Sequence, residues 1–278
     1  GDENLFRSKL LPVIRWIIDC YHQGTKFGIH ADTDGLITGG NAQTQLTWMD
    51  AKYNGEVFTP RYGKAVEINS LWYNALRRLA EYFKDNDSNA ASQYTRMADE
   101  VSARFGEVFW NEAKQCLYDC ILPEGTADAS IRPNQIFAVS LPFSPLPLKQ
   151  QKAVVETVKK YLLTPYGLRT LNAQDARYQG KYTGPQLERD RAYHQGTVWP
   201  WLIGAFIEAH LRVGDFGKKS RKEAAGYLHP LLDHLTENDC IGSISEVFDG
   251  DPPHRPGGCF AQAWSVAEVM RAYLLIIE

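Results

Sequence analysis

Residues 66–83 read VEINSLWYNALRRLAEYF. Apolar side chains recur every three or four positions (Ile68, Leu71, Trp72, Ala75, Leu76, Leu79, Phe83), while Arg77, Arg78 and Glu81 fall on the other face. That period places the apolar set on one stripe of a helix, whereas a strand would alternate every second residue. Similar patterns mark 4–23, 66–85, 90–109, 133–141, 148–162, 198–213, 217–236 and 262–277. Strand signals are weak: Cys116 to Leu122 reads as a short hairpin, and no long period-two segment occurs. The chain is predicted to be all-α.

The links between these helices alternate in length. Those over 24–65, 110–132, 163–197 and 237–261 are long, and those at 86–89, 142–147 and 214–216 are short. Most connections in compact domains are only a few residues, and long ones are commonly functional. Long and short links in alternation imply antiparallel helix pairs, with the long loops gathered at one end. This is the layout of an α/α toroid in one domain, 1–278, with an inner and an outer ring. Helices that follow long loops (66–85, 133–141, 198–213, 262–277) are expected to be inner. The segment 198–213 suits that place, being apolar nearly all round. No fixed-period repeat points to a solenoid.

Composition narrows the function classes. The 278 residues carry 30 Lys+Arg against 33 Asp+Glu, net −3, which offers no basic face for nucleic acid. The longest apolar run, Val198 to Ile207, is broken by Pro200 and Gly204 and falls short of the roughly 18 residues of a spanning helix, so no membrane partner is expected. The five Cys form no CxxC pair and suit a reducing, cytoplasmic setting. Seven Trp, 14 Tyr and 12 Phe are notable because most Trp stand beside polar residues in short motifs. Aromatics next to carboxylates suit a site that stacks on sugar rings, although large cores also use Trp.

Five segments stand out, each in a long loop or at the start of the helix after one: TWMDA (47–51), TPRYGKAVEIN (59–69), RPNQ (132–135), YHQGTVWPW (193–201) and ISEVFDGDPPHRPGGCFAQAWS (244–265). Asp50 follows Trp48 and Met49; a carboxyl shielded from water there would stay protonated and act as a general acid. Glu246, among Ile244, Val247 and Phe248, could activate a water on the opposite side of a bound sugar. His194 and Gln195 could bind hydroxyls while Trp199 stacks, or could cap and fill the helix that follows. Arg61 and Glu67 could form an ion pair or bracket a polyol. Asn134 and Gln135 of RPNQ are further candidates for substrate contact, and Trp264, opening the last helix, is as open a case as Trp199. Asp32 to Gly35 hints at a calcium loop, but Leu36 occupies the next ligand position, so it reads as a turn. Cys116 and Cys120 lack a His at zinc spacing. No metal or cofactor is expected.

These segments, in this order, resemble the C-terminal glucosidase domain of glycogen debranching enzymes, the amylo-α-1,6-glucosidase family. The resemblance runs from about Gly35 to the C-terminus. It implies an (α/α)6 toroid, hydrolysis of α-1,6-linked glucose at glucan branch points, and inversion at the anomeric carbon. By that correspondence Asp50 is the general acid and Glu246 the general base, with carboxyls about 6.5–9.5 Å apart to admit a water. The substrate would be an α-glucan or oligosaccharide. A complete toroid has six inner and six outer helices, whereas about four of each are counted here. The expectation is therefore an incomplete ring lacking N-terminal pairs, with a tendency to self-associate. Another toroidal inverting glycosidase acting on a small α-glucoside or mannoside, and a non-catalytic carbohydrate-binding module, are the alternatives.

Overall fold

The computed structural model describes residues 2–237 and 240–278. Asn238 and Asp239 of the loop expected at 237–261 lie outside the described residues, as does Gly1 of the expected domain.

The helices are α1 (Glu3–Leu5), α2 (Leu11–Gln23), α3 (Val66–Phe83), α4 (Ser88–Phe109), α5 (Phe137–Ser140), α6 (Leu148–Tyr161), α7 (Gln186–Tyr193), α8 (Leu202–Val213), α9 (Lys218–Glu237) and α10 (Ala263–Ile277). In α3 the predicted stripe buries Trp72, Leu76, Leu79 and Phe83. Each large apolar side chain so buried contributes roughly 1.5–3 kcal/mol. Leu71, on the same stripe, remains 45% exposed. With Ile68, Ala75 and residues of α2 it lines an apolar groove of about 230 Å³. A tight turn joins α3 to α4, and Asp87 stops the chain there by accepting from the Ala90 N–H at 3.0 Å, an N-cap worth about 1 kcal/mol.

Packing sorts the helices into two sets. α3 packs on α5, α5 on α8, and α8 on α10, while α4 backs α3, α6 backs α5 and α8, and α9 backs α8 and α10. The inner set matches the segments that follow long loops. α8 is buried nearly all round, with Leu202 to Ile207 all inaccessible. Gly204 lies so close to α10 that a β-carbon would collide with the Glu268 carboxylate. A larger residue there would require the Glu268 carboxylate to shift.

Short strands tie the long loops together, which amends the all-α expectation. Five of them form one antiparallel sheet in the order Leu163–Thr164, Gly167–Arg169, Val198–Trp199, Val247–Phe248 and Pro256–Gly257. Another three, Lys64–Ala65, Cys120–Ile121 and Ala127–Asp128, form a second. Lys64–Ala65 leads into α3 and Val198–Trp199 into the turn before α8, so the sheets fasten the loops at the entry to inner helices.

Four local expectations are corrected. The helix expected from 198 begins at Leu202, because Val198 and Trp199 pair as a strand with Arg169 and Leu168. The helix expected over 133–141 is a 3-10 turn, Pro133–Ile136, followed by α5. It ends at Leu141, whose ψ of 151° is the extended geometry that the following proline favours. Cys116 to Leu122 is no hairpin, since Cys116–Leu117 pairs with Trp110–Asn111 and Cys120–Ile121 with the strands on either side of it. Finally, the loop 163–197 contains α7, whose sequence QLERDRAY is too polar to show an apolar period.

Candidate active site

Trp48 is the hub of the loop end. Its Nε1–H donates to Asn134 Oδ1 at 2.7 Å, and its ring meets those of His194, Trp199 and Trp201 edge-on at 5.3, 5.6 and 5.1 Å. Met49 is buried, its sulfur facing the Asn134 amide at 3.6 Å and the Arg132 guanidinium at 3.9 Å. With Trp48 and Met49 pinned, the next residue, Asp50, is presented at the surface. Its carboxylate is exposed, so the shielding expected from its neighbours is not supplied by the chain itself.

Glu246 is half-buried and held at both oxygens. Tyr193 Oη–H donates to Oε1 at 2.5 Å, and the Cys259 N–H donates to Oε2 at 2.8 Å. The Glu246 N–H in turn donates to the Cys259 carbonyl, continuing the pairing of Val247 with Gly257. Gly258 has φ +71° and packs against the carboxylate so closely that any β-carbon would strike it. Glycine is required there for both reasons.

Tyr193 is the hydrogen-bond partner of Glu246. Burial raises the pKa of its phenol well above the ordinary tyrosine value; the hydrogen bond and charge of Glu246 add to this, and Tyr182 and the charge of Asp50 contribute further. The Tyr193 ring is fixed by Tyr182 (5.3 Å), Trp199 (4.8 Å) and His194 (4.9 Å).

A buried charge network lies beneath this surface. Arg61 donates through both Nη atoms to Glu67 at 2.5 Å and through Nε to Asp119 Oδ2 at 2.5 Å, all three side chains at most 4% exposed. Asp119 also accepts from Asn134 Nδ2 at 2.8 Å. Arg132 reaches the His194 carbonyl at 2.7 Å and Gln195 Oε1 at 2.8 Å, and Gln195 Nε2 donates to the Phe58 carbonyl at 2.7 Å. Gln135 accepts from the Leu117 N–H and donates to the Arg132 carbonyl. Arg61, Glu67, Asn134, Gln135 and Gln195 thus form a scaffold under Trp48. Of the two roles open to Arg61 and Glu67, the structure gives the ion pair.

His194 is 1% exposed, and neither ring nitrogen has a hydrogen-bond partner. Burial, reinforced by the positive charges of Arg132 and Arg61, lowers its pKa to about 3, so the ring is neutral at physiological pH. Trp199 is buried and donates its indole N–H to the Tyr193 carbonyl, which leaves no face for a sugar. Of the tryptophans in these segments, Trp48 is half-buried and Trp264 is exposed, stacked on Trp201 at 3.9 Å. A cleft of about 580 Å³ beside Glu246 is lined by Ser245, Pro256, Gly257, Gly258, Phe260 and Cys240. Among the described residues no group of His, Cys, Asp or Glu is placed to hold a metal ion, and no helix is long and apolar enough to cross a membrane.

Sequence reasoning passed over Tyr193, Asp119 and Arg132. Tyr193 opens the YHQG motif and Arg132 opens RPNQ, so both stood in segments already marked. Asp119 carried no signal, because its role depends on partners 58 residues before it and 15 after it.

Paired helices with strand-tied loops define a helical architecture with its candidate residues on the long loops. Residues 1–271 match the family model described as amylo-alpha-1,6-glucosidase, and the chain belongs to that glycoside hydrolase family. It is 28% identical over 264 residues to the glycogen debranching enzyme of Saccharomyces cerevisiae, an alignment covering 76% of this chain and 17% of that enzyme. The structure of neutral trehalase Nth1 from S. cerevisiae superimposes with a TM-score of 0.61 at 15% identity, over 81% of this chain and 40% of that one. At that identity the likeness speaks for the fold, the α/α toroid of glycosidases.

Proposed function

We propose that this chain is a debranching-type glucosidase module, hydrolysing α-1,6-linked glucose at glucan branch points with inversion. Asp50 is the general acid and Glu246 the general base. The observation that carries this reading is the Glu246 carboxylate, held at both oxygens by Tyr193 and the Cys259 N–H beside an open cleft, next to the aromatic cluster that Asp50 adjoins through Trp48. Asp50 protonates the glycosidic oxygen as the bond to the anomeric carbon breaks. Glu246 takes a proton from the water that attacks the opposite face. A glucosyl unit seated on Trp48 would exclude water from Asp50 and favour its proton-donating form, which the free chain leaves to solvent. Trp264 extends the aromatic surface through its stack on Trp201.

The ring in this reading is incomplete. It is supported by apolar side chains left exposed on α2 (Val13, Trp16, Ile17) and along α10 (Met270, Tyr273, Leu274, Ile277). The chain spans 17% of the debranching enzyme it resembles, so the activity is assayed in the natural full-length protein alongside this chain. Free glucose released from a branched limit dextrin is measured. Asp50→Asn and Glu246→Gln are each expected to lower the rate about 10²–10⁴-fold. Unimpaired release by either variant removes that residue from the mechanism, and glucan binding without turnover replaces the enzyme with a binding module.

A further inference from the structure

We infer that Tyr193 is a positioning residue for the base, clamping the Glu246 carboxylate in its proton-accepting orientation; this rests on the reading of Glu246 above. A carboxylate on a side chain with three torsions has many orientations, and only a few aim a lone pair at an attacking water. Here each oxygen has one fixed donor, the Tyr193 hydroxyl on Oε1 and the Cys259 N–H on Oε2. The Gly258 backbone closes a third side. One lone pair on each oxygen is thereby spent, and the other remains for water.

Tyr193 can serve as a fixed point because it cannot itself move. It ends α7, its ring is wedged between Tyr182, Trp199 and His194, and its carbonyl accepts the Trp199 indole N–H. Its raised pKa keeps the phenol a donor at every working pH. The other titratable groups around the pair are Tyr182, His194, Asp50, Arg189 and Asp190 of α7, and the exposed Cys259 thiol. Among the described residues none of these side chains donates to Glu246.

The test is Tyr193→Phe, which keeps the ring and its contacts and removes only the hydroxyl. Glucose release from limit dextrin is followed for kcat and KM, with Glu246→Gln and the double variant alongside. Expected is a loss of up to about 10²-fold in kcat with KM nearly unchanged. In the Glu246→Gln background, Tyr193→Phe should change kcat no further. A Tyr193→Phe enzyme with wild-type kcat overturns this inference while leaving the role of Glu246 intact. A further loss in the double variant equal to the single one also overturns it, since the hydroxyl then acts elsewhere. A wild-type protein that releases no glucose overturns both.

Discussion

Arg61→Met separates the scaffold reading from a role in gripping substrate. The guanidinium is 1% exposed and serves two carboxylates, Glu67 and Asp119, that are themselves buried. Removing it leaves both without their principal cation in a region water does not reach. Breaking a buried pair by deleting one partner costs roughly 3–5 kcal/mol, because the surviving charge remains desolvated. An unfolding entropy of about 2.1 cal/mol/K per residue, over 278 residues, converts that to a fall of about 5–9 °C in melting temperature. Differential scanning calorimetry measures it. Adding Glu67→Met should cost less than the two single changes together, because one of the orphaned charges is gone. Activity should fall as well, since Asp119 holds Asn134 and Asn134 holds the Trp48 indole. An Arg61→Met protein with unchanged melting temperature and a raised KM would refute the scaffold reading and return Arg61 to the substrate.

Three further outcomes follow from the same geometry. Gly258→Ala forces a β-carbon onto the Glu246 carboxylate at a positive φ, and should lower stability by about 1 kcal/mol or more and kcat by at least tenfold, read by melting and initial rates. His194, with a folded pKa of about 3 against an unfolded value near 6.5, gives full stability above about pH 6.5 that declines as pH falls toward 3. His194→Phe should flatten that part of the pH–stability curve, a change of a few kcal/mol at most. The exposed apolar faces of α2 and α10 should make this chain associate as concentration rises, visible as an increasing sedimentation coefficient. A concentration-independent monomer would argue against the open-ring reading.

Much of the fold was legible because helix burial writes a 3.6-residue period into α3, α4, α6, α8, α9 and α10. The alternation of link lengths then sorted inner from outer helices without any tertiary information. What failed to show was structure whose cause lies outside the local window. Val198 and Trp199 look like the start of α8, yet they pair with strand residues 30 positions earlier. α7 is charged throughout and owes its place to packing on the hairpin that follows Asp50, where Arg191 covers the Phe58 ring. Trp48, Asp50 and Glu246 became candidates from motif chemistry alone. Their environments were not legible there: Asp50 stands beside apolar neighbours in sequence but faces solvent, because Trp48 and Met49 both turn inward. The buried assignments of Arg61, Glu67 and Gln195 required knowing that Asp119 and Arg132 lie beneath them.

The account stands most directly on the anomer first released. Branched limit dextrin treated with the full-length protein should show the β-anomeric proton of glucose in early NMR spectra, with the α-anomer growing only by mutarotation. Asp50→Asn and Glu246→Gln should abolish that early signal. Early appearance of α-glucose would mean retention through a covalent intermediate, and would contradict a mechanism in which Glu246 activates water.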